Sequence, residues 1–155
     1  MFSLLVGYQY RSAAVVSDQP APDDSDAVSL VDELSGQPGS RVPHAWVRYG
    51  GKRVSTLDLV GHDFTLLTDD DGAPWTEAAA SASAVLGIPI AVHRIGPAGD
   101  ARDPDRAWLQ AAGLAPGGAL LIRPDDFVGW RAATLPQSPA DDLRRALCQI
   151  LGRAP

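Results

Sequence analysis

The chain has 155 residues, of which 45% are hydrophobic and 21% are charged, and its formal net charge is −6 at pH 7. This length suits one domain, and the composition is that of a globular protein with a single core. The negative charge opposes binding to nucleic acid or to an anionic membrane surface, since both need a basic footprint.

The only cysteine is Cys148. A lone cysteine excludes an internal disulfide, a CxxC redox pair and a thiolate-rich zinc site. It falls in a predicted helix among leucine and isoleucine residues, where we expect it to be buried. Residues 1–6 are apolar, but they lack the basic residues and the length of a secretion signal or a membrane span. We therefore expect a cytoplasmic protein without a membrane anchor.

The first predicted element is a strand within residues 1–17, which form an N-terminal segment. Residues 18–40 form an acidic linker, in which proline and glycine recur and no basic residue balances the acidic ones. A helical turn is predicted at residues 28–34 of this linker. The folded domain is expected to occupy residues 41–155.

A β-hairpin follows the linker. Residues 46–49 and 52–56 are short runs rich in β-branched and aromatic residues, and Gly50 and Gly51 between them can supply the positive φ angles of a two-residue turn. Residues 64–67 then form an apolar run, which is typical of a strand buried on both faces.

A strand, a helix and a second strand come next. Residues 69–72 read Asp-Asp-Asp-Gly, and three adjacent aspartates lack the alternating oxygens of a hard-cation loop, so they predict a polar loop. Pro74 opens a helix over residues 75–86, with Gly87 at its C-cap. Residues 88–95 form the next strand, and such short connections predict a right-handed unit with parallel strands.

The last third of the chain predicts a helix, two strands and a helix. Residues 96–102 are predicted as a loop, after which Asp103 caps a second helix that ends at Gly113. Residues 119–122 and 127–130 are joined by a short turn and must run antiparallel. Ser138 is predicted to cap the final helix, whose apolar residues follow helical spacing.

From residue 64 onward the order is βαβαββα. The predicted fold is therefore α/β and thioredoxin-like, with an N-terminal extension and a β-hairpin. A thioredoxin-type redox centre would lie at the start of the first helix, where Pro74, Trp75 and Thr76 stand instead of cysteines. A glutathione-binding role would depend on Thr76, which we interpret as an ordinary N-cap residue.

The remaining candidate residues are interpreted as structural. The histidines share no metal-ligand spacing, so His93 is expected in the core and His44 in a hydrogen bond to a loop. The four tryptophans are spread over different elements and are expected in the core or at caps rather than in a stacking platform. The sequence contains no GxSxG, P-loop or GxGxxG pattern.

Three segments in the right order resemble a known family. They are residues 36–46 (GQPGSRVPHAW), residues 55–61 (STLDLVG) with 64–67 (FTLL), and residues 118–125 (GALLIRPD) with Trp130-Arg131. The chain resembles the C-terminal domain of FAD-dependent aromatic hydroxylases, the phenol-hydroxylase-like group A flavin monooxygenases that include polyketide hydroxylases. Asp126 departs from the pattern, because the family usually has glycine there, and this affects only the turn.

The resemblance implies a thioredoxin-like domain without cysteines, associated with packing and subunit contacts. Full-length members use FAD and NAD(P)H, with flavin and substrate held by two preceding domains whose flavin motifs have no counterpart in this sequence. The N-terminal segment, residues 1–17, resembles the end of the substrate domain through residues 7–12 (GYQYRS). Gly99-Asp100 echoes a flavin motif of the family but lies in the wrong order, so we treat it as chance. No catalytic, cofactor-binding or metal-binding residue is therefore expected in this chain.

Three functions remain open. The chain is a stand-alone, non-catalytic module for protein association, or it is part of an aromatic or polyketide hydroxylase completed by a separate flavin-binding chain. Alternatively, it binds aromatic small molecules in a cleft beside Trp46 or Trp130. We expect either a homodimer, because the apolar residues in 1–17 need cover, or a flavoprotein hydroxylase as the partner. The candidate docking residues are Tyr8, Tyr10, Arg11, Arg41 and His44.

Overall fold

A computed structural model describes residues 8–10, 15–16, 28–30 and 38–154. Within these ranges the strands are β1 (Tyr8–Tyr10), β2 (Val28–Leu30), β3 (Trp46–Tyr49), β4 (Lys52–Ser55), β5 (Phe64–Thr68), β6 (Ile90–Gly96), β7 (Ala101–Arg102), β8 (Ala119–Ile122) and β9 (Val128–Ala132). The α-helices are α1 (Ala73–Leu86), α2 (Ala107–Ala111) and α3 (Pro139–Leu151), and a 3₁₀ helix spans Thr56–Leu59.

Seven strands form one sheet in the order β4-β3-β7-β6-β5-β8-β9. Strands β5 and β6 are parallel, whereas β8 is antiparallel to both β5 and β9. The elements from β5 to α3, apart from the short β7, follow the predicted βαβαββα order. The predicted thioredoxin-like α/β class is confirmed.

The core lies on both faces of the central strands. In β5, Leu66 packs with α1 and α3, and Leu67 packs with α2 on the other face; both are fully buried. In β8, Leu121 lies in the same core cluster as Leu66, and Leu120 lies in the same core cluster as Leu67. Because successive side chains of a strand point to opposite faces, one apolar run supplies both core layers. The prediction of a strand buried on both faces is confirmed.

The predicted hairpin is present, and its turn is the predicted Gly50-Gly51 pair. The two glycines have φ angles of 58° and 79°, as a two-residue hairpin turn requires. This turn pairs Tyr49 with Lys52 and continues by pairing Arg48 with Arg53.

Helix α1 begins earlier than predicted. Its N-cap is Gly72, and Trp75 N–H donates to Gly72 O over 3.0 Å. Thr76 therefore lies exposed inside the first turn, and its interpretation as the N-cap is wrong. The predicted C-cap is confirmed, because Gly87 has a left-handed φ of 68° and donates its N–H to Ser83 O.

Helix α2 is shorter than predicted because the chain turns sharply before it. Arg106 has a positive φ of 52°, and its N–H donates to Asp103 O. The N-cap residue is therefore Arg106 and not the predicted Asp103, although the side chain of Asp103 accepts a hydrogen bond of 2.9 Å from Trp108 N–H in the first turn.

Part of the predicted loop at residues 96–102 is strand β7. Ala101 pairs with Ile95 of β6, and Arg102 pairs with both Gly96 and Arg48 of β3. This two-residue strand joins the hairpin to the core sheet. A window of sequence cannot show such a strand, because its two partners come from distant segments.

The final helix begins after Ser138 as predicted, but the Ser138 side chain does not form a capping hydrogen bond. Ser138 is the N-cap residue, and its carbonyl oxygen accepts from Asp142 N–H, but its side chain makes no capping hydrogen bond. Asp141 and Asp142 place negative charge in the first turn, which complements the helix dipole. Cys148 is buried on this helix, as predicted.

The turn between β8 and β9 contains Asp126 with a positive φ of 69°. This is the left-handed conformation that glycine adopts without strain and that aspartate tolerates better than most residues. Asp126 thus takes a backbone geometry suited to the glycine usual in the family.

The helical turn predicted at residues 28–34 is wrong where the structure describes it. Val28–Leu30 is a strand, paired antiparallel with β1 through Tyr8 to Leu30 and Tyr10 to Val28. Cross-strand pairing overrides the local preference here, as tertiary contacts commonly do. The rest of the predicted turn lies outside the described residues.

Residue 16, just before the acidic linker, and residues 39 and 40 at its end form backbone hydrogen bonds with strand β9. Val16 N–H donates to Gly129 O, Gly39 N–H donates to Val128 O, and Val128 N–H donates to Ser40 O. Residues 38–40 are buried. The end of the predicted linker is thus part of the folded unit. None of the helices in the described parts of the chain is long and apolar enough to cross a membrane.

Candidate docking surface

The position of a thioredoxin-type redox centre is filled by a packed tryptophan. Trp75 is fully buried at the start of α1, and its indole Nε1–H donates to Gly117 O over 2.8 Å. Its ring meets the Trp130 ring edge to face, with centroids 5.7 Å apart. This junction of β5 and α1 presents a satisfied hydrophobic contact where that class of protein has its thiols.

The aspartates of the neighbouring loop also serve the fold. Asp69 is 1% exposed; its Oδ1 accepts from Gly117 N–H over 2.9 Å, and its Oδ2 lies 3.6 Å from Arg106 Nη1. Asp70 Oδ2 accepts from Ala98 N–H. These bonds tie the loop after β5 to the loops that precede β7 and β8. Among the described residues, no group of three or more potential ligands could hold a metal ion.

The structure describes only some of the five predicted docking residues in full, so their role in docking stays a prediction. Tyr8 and Tyr10 belong to β1, and Arg11 lies outside the described residues. Arg41 is half-buried near β9, where its guanidinium carbon lies 5.3 Å from the centroid of the Phe127 ring. Arg41 Nε is buried without a hydrogen-bond partner among those residues. His44 lies apart from Arg41, beside the hairpin.

His44 is exposed and contacts the hairpin through both its ring and its nitrogen. Its Nδ1 lies 2.6 Å from Ser55 Oγ, and its ring meets Trp46 edge to face with centroids 4.9 Å apart. His44 thus forms a hydrogen bond as expected, but its partner is the last residue of β4 rather than a loop. Trp46 is 53% exposed, so its interpretation as a core or cap residue is wrong.

Three arginines lie side by side across the sheet edge next to Trp46. Arg48 of β3 pairs directly with Arg53 of β4 on one side and with Arg102 of β7 on the other. Directly paired residues share one face of a sheet, and all three side chains are exposed. We call Arg53, Arg48 and Arg102 the arginine ladder.

The arginine ladder carries positive charge that no described carboxylate neutralises. None of its three members forms an ion pair with a carboxylate in the described part of the chain, whereas Arg106, Arg123, Arg144 and Arg145 do. Like charges directly opposite each other on a sheet are destabilising. An acidic protein therefore keeps a local basic cluster that its own described residues do not balance.

Trp46 and the ladder enclose a shallow cleft of about 220 Å³ beside Pro104.

 A second cleft, of about 340 Å³, lies beside Trp130 and is lined by Val16, Asp142 and Arg145. At the smaller cleft, Arg53 lies over the Trp46 ring, with its guanidinium carbon 4.4 Å from the ring centroid. A cation held over an indole face in this way is attracted by the ring quadrupole.

One histidine contacts the opposite face of the hairpin. His93 of β6 is half-buried and meets the Tyr49 ring edge to face, with centroids 5.5 Å apart. Burial lowers the pKa of His93 below its usual range, and the charge of Asp100 partly opposes this shift. The expectation of a core histidine is thus met only in part, since the ring keeps some exposure. His62 is exposed.

Comparison with known families decides the relationship of the chain. Residues 35–154 match the model of the aromatic-ring hydroxylase C-terminal domain. The chain belongs to this family. The resemblance seen in the sequence is confirmed, and the matched range contains the hairpin, the arginine ladder and the core clusters on both faces of the sheet.

Curated relatives of the aromatic-ring hydroxylase domain are much longer proteins. The chain is 47% identical over 148 residues to the tetracenomycin A2 monooxygenase-dioxygenase of Streptomyces glaucescens, covering 95% of this chain and 26% of the relative. It is 43% identical over 145 residues to the 2,4-dichlorophenol 6-monooxygenase of Delftia acidovorans, covering 92% of this chain and 25% of the relative. The chain thus spans about a quarter of the relatives that it matches.

Solved structures agree with this assignment of the domain. A ternary complex of aklavinone-11 hydroxylase with FAD and aklavinone superposes with a TM-score of 0.84 at 40% identity, covering 97% of this chain and 27% of the other. The flavin-dependent monooxygenase PieE in complex with FAD and substrate gives 0.83 at 39% identity, covering 98% and 26%. The aromatic-ring hydroxylase domain therefore occurs within FAD-containing enzymes.

The Gly99-Asp100 pair of this domain has a local structural role. It forms the turn between β6 and β7, where Asp100 Oδ2 accepts from Arg94 N–H over 3.2 Å. A Cβ added to Gly99 would meet Arg94 O, so the glycine serves the turn. Both residues of this pair thus stabilise the turn between β6 and β7.

Proposed function

We propose that this chain is a non-catalytic, thioredoxin-like module that acts by associating with the flavin- and substrate-binding part of an aromatic-ring hydroxylase. The observation that carries the proposal is the β5–α1 junction, where buried Trp75 occupies the position of a redox centre and bonds to Gly117 O. The chain matches only about a quarter of the length of its relatives, and one of the matching solved structures contains FAD. This supports a flavin-binding protein part as the partner. The partner lies either on a separate chain or on the same polypeptide.

The boundaries of the module belong to the same proposal. We place the N-terminal segment at residues 1–17 and the acidic linker after it, as the sequence predicts. The backbone bonds of Gly39 and Ser40 to Val128 support a folded unit that starts at residue 38 rather than 41. A cytoplasmic location and a homodimer remain predictions from the sequence.

A chimera tests the proposed function. In the tetracenomycin A2 monooxygenase-dioxygenase, the quarter that matches this chain is replaced by this chain, and a second protein simply lacks that quarter. We expect the chimera to retain bound FAD, seen in its visible spectrum, and to turn over tetracenomycin A2, whereas the shortened protein loses activity or falls apart. A stable chimera with bound FAD but no turnover beyond that of the shortened protein would contradict the proposal.

A non-catalytic role makes a second demand on the same chimera. Thr76 is the one exposed hydroxyl at the start of α1, so its replacement by alanine should leave turnover unchanged. A large loss of turnover in a chimera that stays folded would instead assign chemistry to this helix.

Aromatic small-molecule binding is a second candidate, favoured by the clefts beside Trp46 and Trp130. Saturable quenching of tryptophan fluorescence by a planar phenol tests it. Quenching lost in Trp46→Phe or in Trp130→Phe would identify the cleft, and the absence of saturable quenching would remove this candidate.

A further inference from the structure

The arginine ladder has the chemistry of an interface rather than of an ordinary solvated surface. Three guanidinium groups lie on directly paired residues of β4, β3 and β7, although each pairing of like charges costs stability. Exposed Trp46 lies on the same face, diagonally across from Arg53. Tryptophan and arginine are the residues most enriched where binding energy concentrates at interfaces.

The charge of the ladder defines the chemistry of its partner. The chain as a whole has a net charge of −6, so an acidic partner is repelled by most of the molecule and attracted by this one edge. A long polyanion such as nucleic acid would meet that repulsion along its length. A short acidic patch on a folded protein could contact the ladder without lying along the acidic remainder of the surface.

The spacing of the ladder selects the form of that acidic patch. Adjacent strands lie about 4.8 Å apart, so three arginines across three strands span about 10 Å. Carboxylates at positions i, i+4 and i+7 of an α-helix share one face and span about 10 Å at a rise of 1.5 Å per residue. Alternate residues of a strand lie about 6.6 Å apart, so three of them overshoot the ladder.

We infer that the arginine ladder and Trp46 dock an acidic helix of the partner protein, which lies across β4, β3 and β7 with carboxylates at i, i+4 and i+7. The inference rests on the proposed function for the identity of the partner, the flavin- and substrate-binding part of a hydroxylase. Each carboxylate accepts from one guanidinium, and the cleft beside Trp46 and Pro104 takes an apolar side chain of the same helix.

The test uses the full 155-residue chain and a designed helical peptide of about 20 residues, long enough to be helical. The peptide carries three glutamates at i, i+4 and i+7 on an alanine-rich background. A control peptide of the same composition has them at i, i+2 and i+5, which places them on different faces. Binding is followed by NMR at the side-chain Nε–H groups of Arg48, Arg53 and Arg102 and at the Trp46 indole.

We expect the patterned peptide to shift all four signals and the control peptide to bind at least about tenfold more weakly. R48Q/R53Q should weaken binding by about tenfold or more. R144Q/R145Q is the matched variant, because it removes the same charge from the exposed arginines of α3, and it should leave binding within about twofold.

Several results would overturn the inference. These are equal binding of both peptides, equal loss in the two double variants, and no shift at all. Backbone shifts confined to Lys52–Ser55 would show strand addition at β4 instead, and stronger displacement by a single-stranded oligonucleotide would assign the ladder to nucleic acid. An inactive chimera combined with patterned-peptide binding would remove the flavoprotein partner but leave the acidic-helix chemistry standing.

Discussion

The β5–α1 junction and the arginine ladder treat their polar and aromatic groups in opposite ways. At the junction, Trp75 and Asp69 are buried and bonded to the loop before β8 through Gly117. At the ladder, Trp46 and three arginines are exposed, and the charges are not balanced by described residues. The first region is complete in itself, whereas the second is suited to a partner. Within one domain, the same residue types are thus fully packed in one region and exposed in the other.

The largest change in the free energy of unfolding is expected at the β5–α1 junction. Trp75→Ala should lower the free energy of unfolding by about 3–5 kcal/mol, because it removes a fully buried ring and leaves Gly117 O without its donor. Trp46→Ala is the control and should cost less than about 1 kcal/mol, since Trp46 is mostly exposed. Urea unfolding measures both variants. Equal losses would show that the two tryptophans do not differ as the structure indicates.

A smaller loss is expected at the buried carboxylate of the same region. Asp69→Ala should destabilise the fold by about 1–3 kcal/mol, because Gly117 N–H is left buried without an acceptor. Asp71→Ala changes an exposed neighbour and should stay within about 0.5 kcal/mol. Thermal and urea unfolding would contradict this if Asp71 proved the more important of the two.

At the ladder the sign of the stability change should reverse. Arg48→Glu places a carboxylate between Arg53 and Arg102, so we expect the isolated chain to become more stable by about 0.2–1 kcal/mol. Arg48→Gln should give a smaller gain, and salt near 1 M should reduce both gains by screening. Urea titrations at low and high salt provide the measurement. A loss of stability in Arg48→Glu would mean that the arginines stabilise the sheet edge.

The smallest effect concerns His93, which links the hairpin to the core sheet. Its pKa is lower in the folded state than in the unfolded chain, so the unfolded chain binds more protons as the pH falls through its pKa near 6.5. Stability from this group is present above that pH and is lost below it, down to the folded-state pKa.

The pH dependence can be isolated with a variant. His93→Gln should flatten the part of the melting-temperature profile between about pH 7.5 and pH 5.5 that belongs to this residue. His62→Gln is the control, because it removes an imidazole from an exposed position. A His93→Gln profile as steep as that of the native chain would assign the slope to other groups.

Part of the docking surface could be predicted from the hairpin alone. A Gly50-Gly51 turn of two residues pairs Tyr49 with Lys52 and hence Arg48 with Arg53, so two rungs of the ladder follow from sequence spacing. The docking residues proposed from sequence included His44 next to Trp46, but none of the three arginines of the ladder. Arg102 could not be found, because β7 has two residues and looks like a loop.

Local patterns also misjudged chain segments whose structure depends on a distant partner. Val28–Leu30 pairs with β1, and Trp46 is exposed because the edge of the hairpin leaves it uncovered. A window of neighbouring residues contains neither the distant strand that pairs with Val28–Leu30 nor the lack of cover over Trp46.

The sequence by itself determined the order of the core elements, the parallel and antiparallel strands, the hairpin turn, the family and the absence of a dithiol. Periodicity, turn residues and the single cysteine are local properties, so they needed no tertiary information. Only the tertiary structure decided that β7 connects the hairpin to the core sheet and aligns Arg53, Arg48 and Arg102. The physical reason is that the register between distant strands is set by the packing of the whole sheet rather than by any one segment.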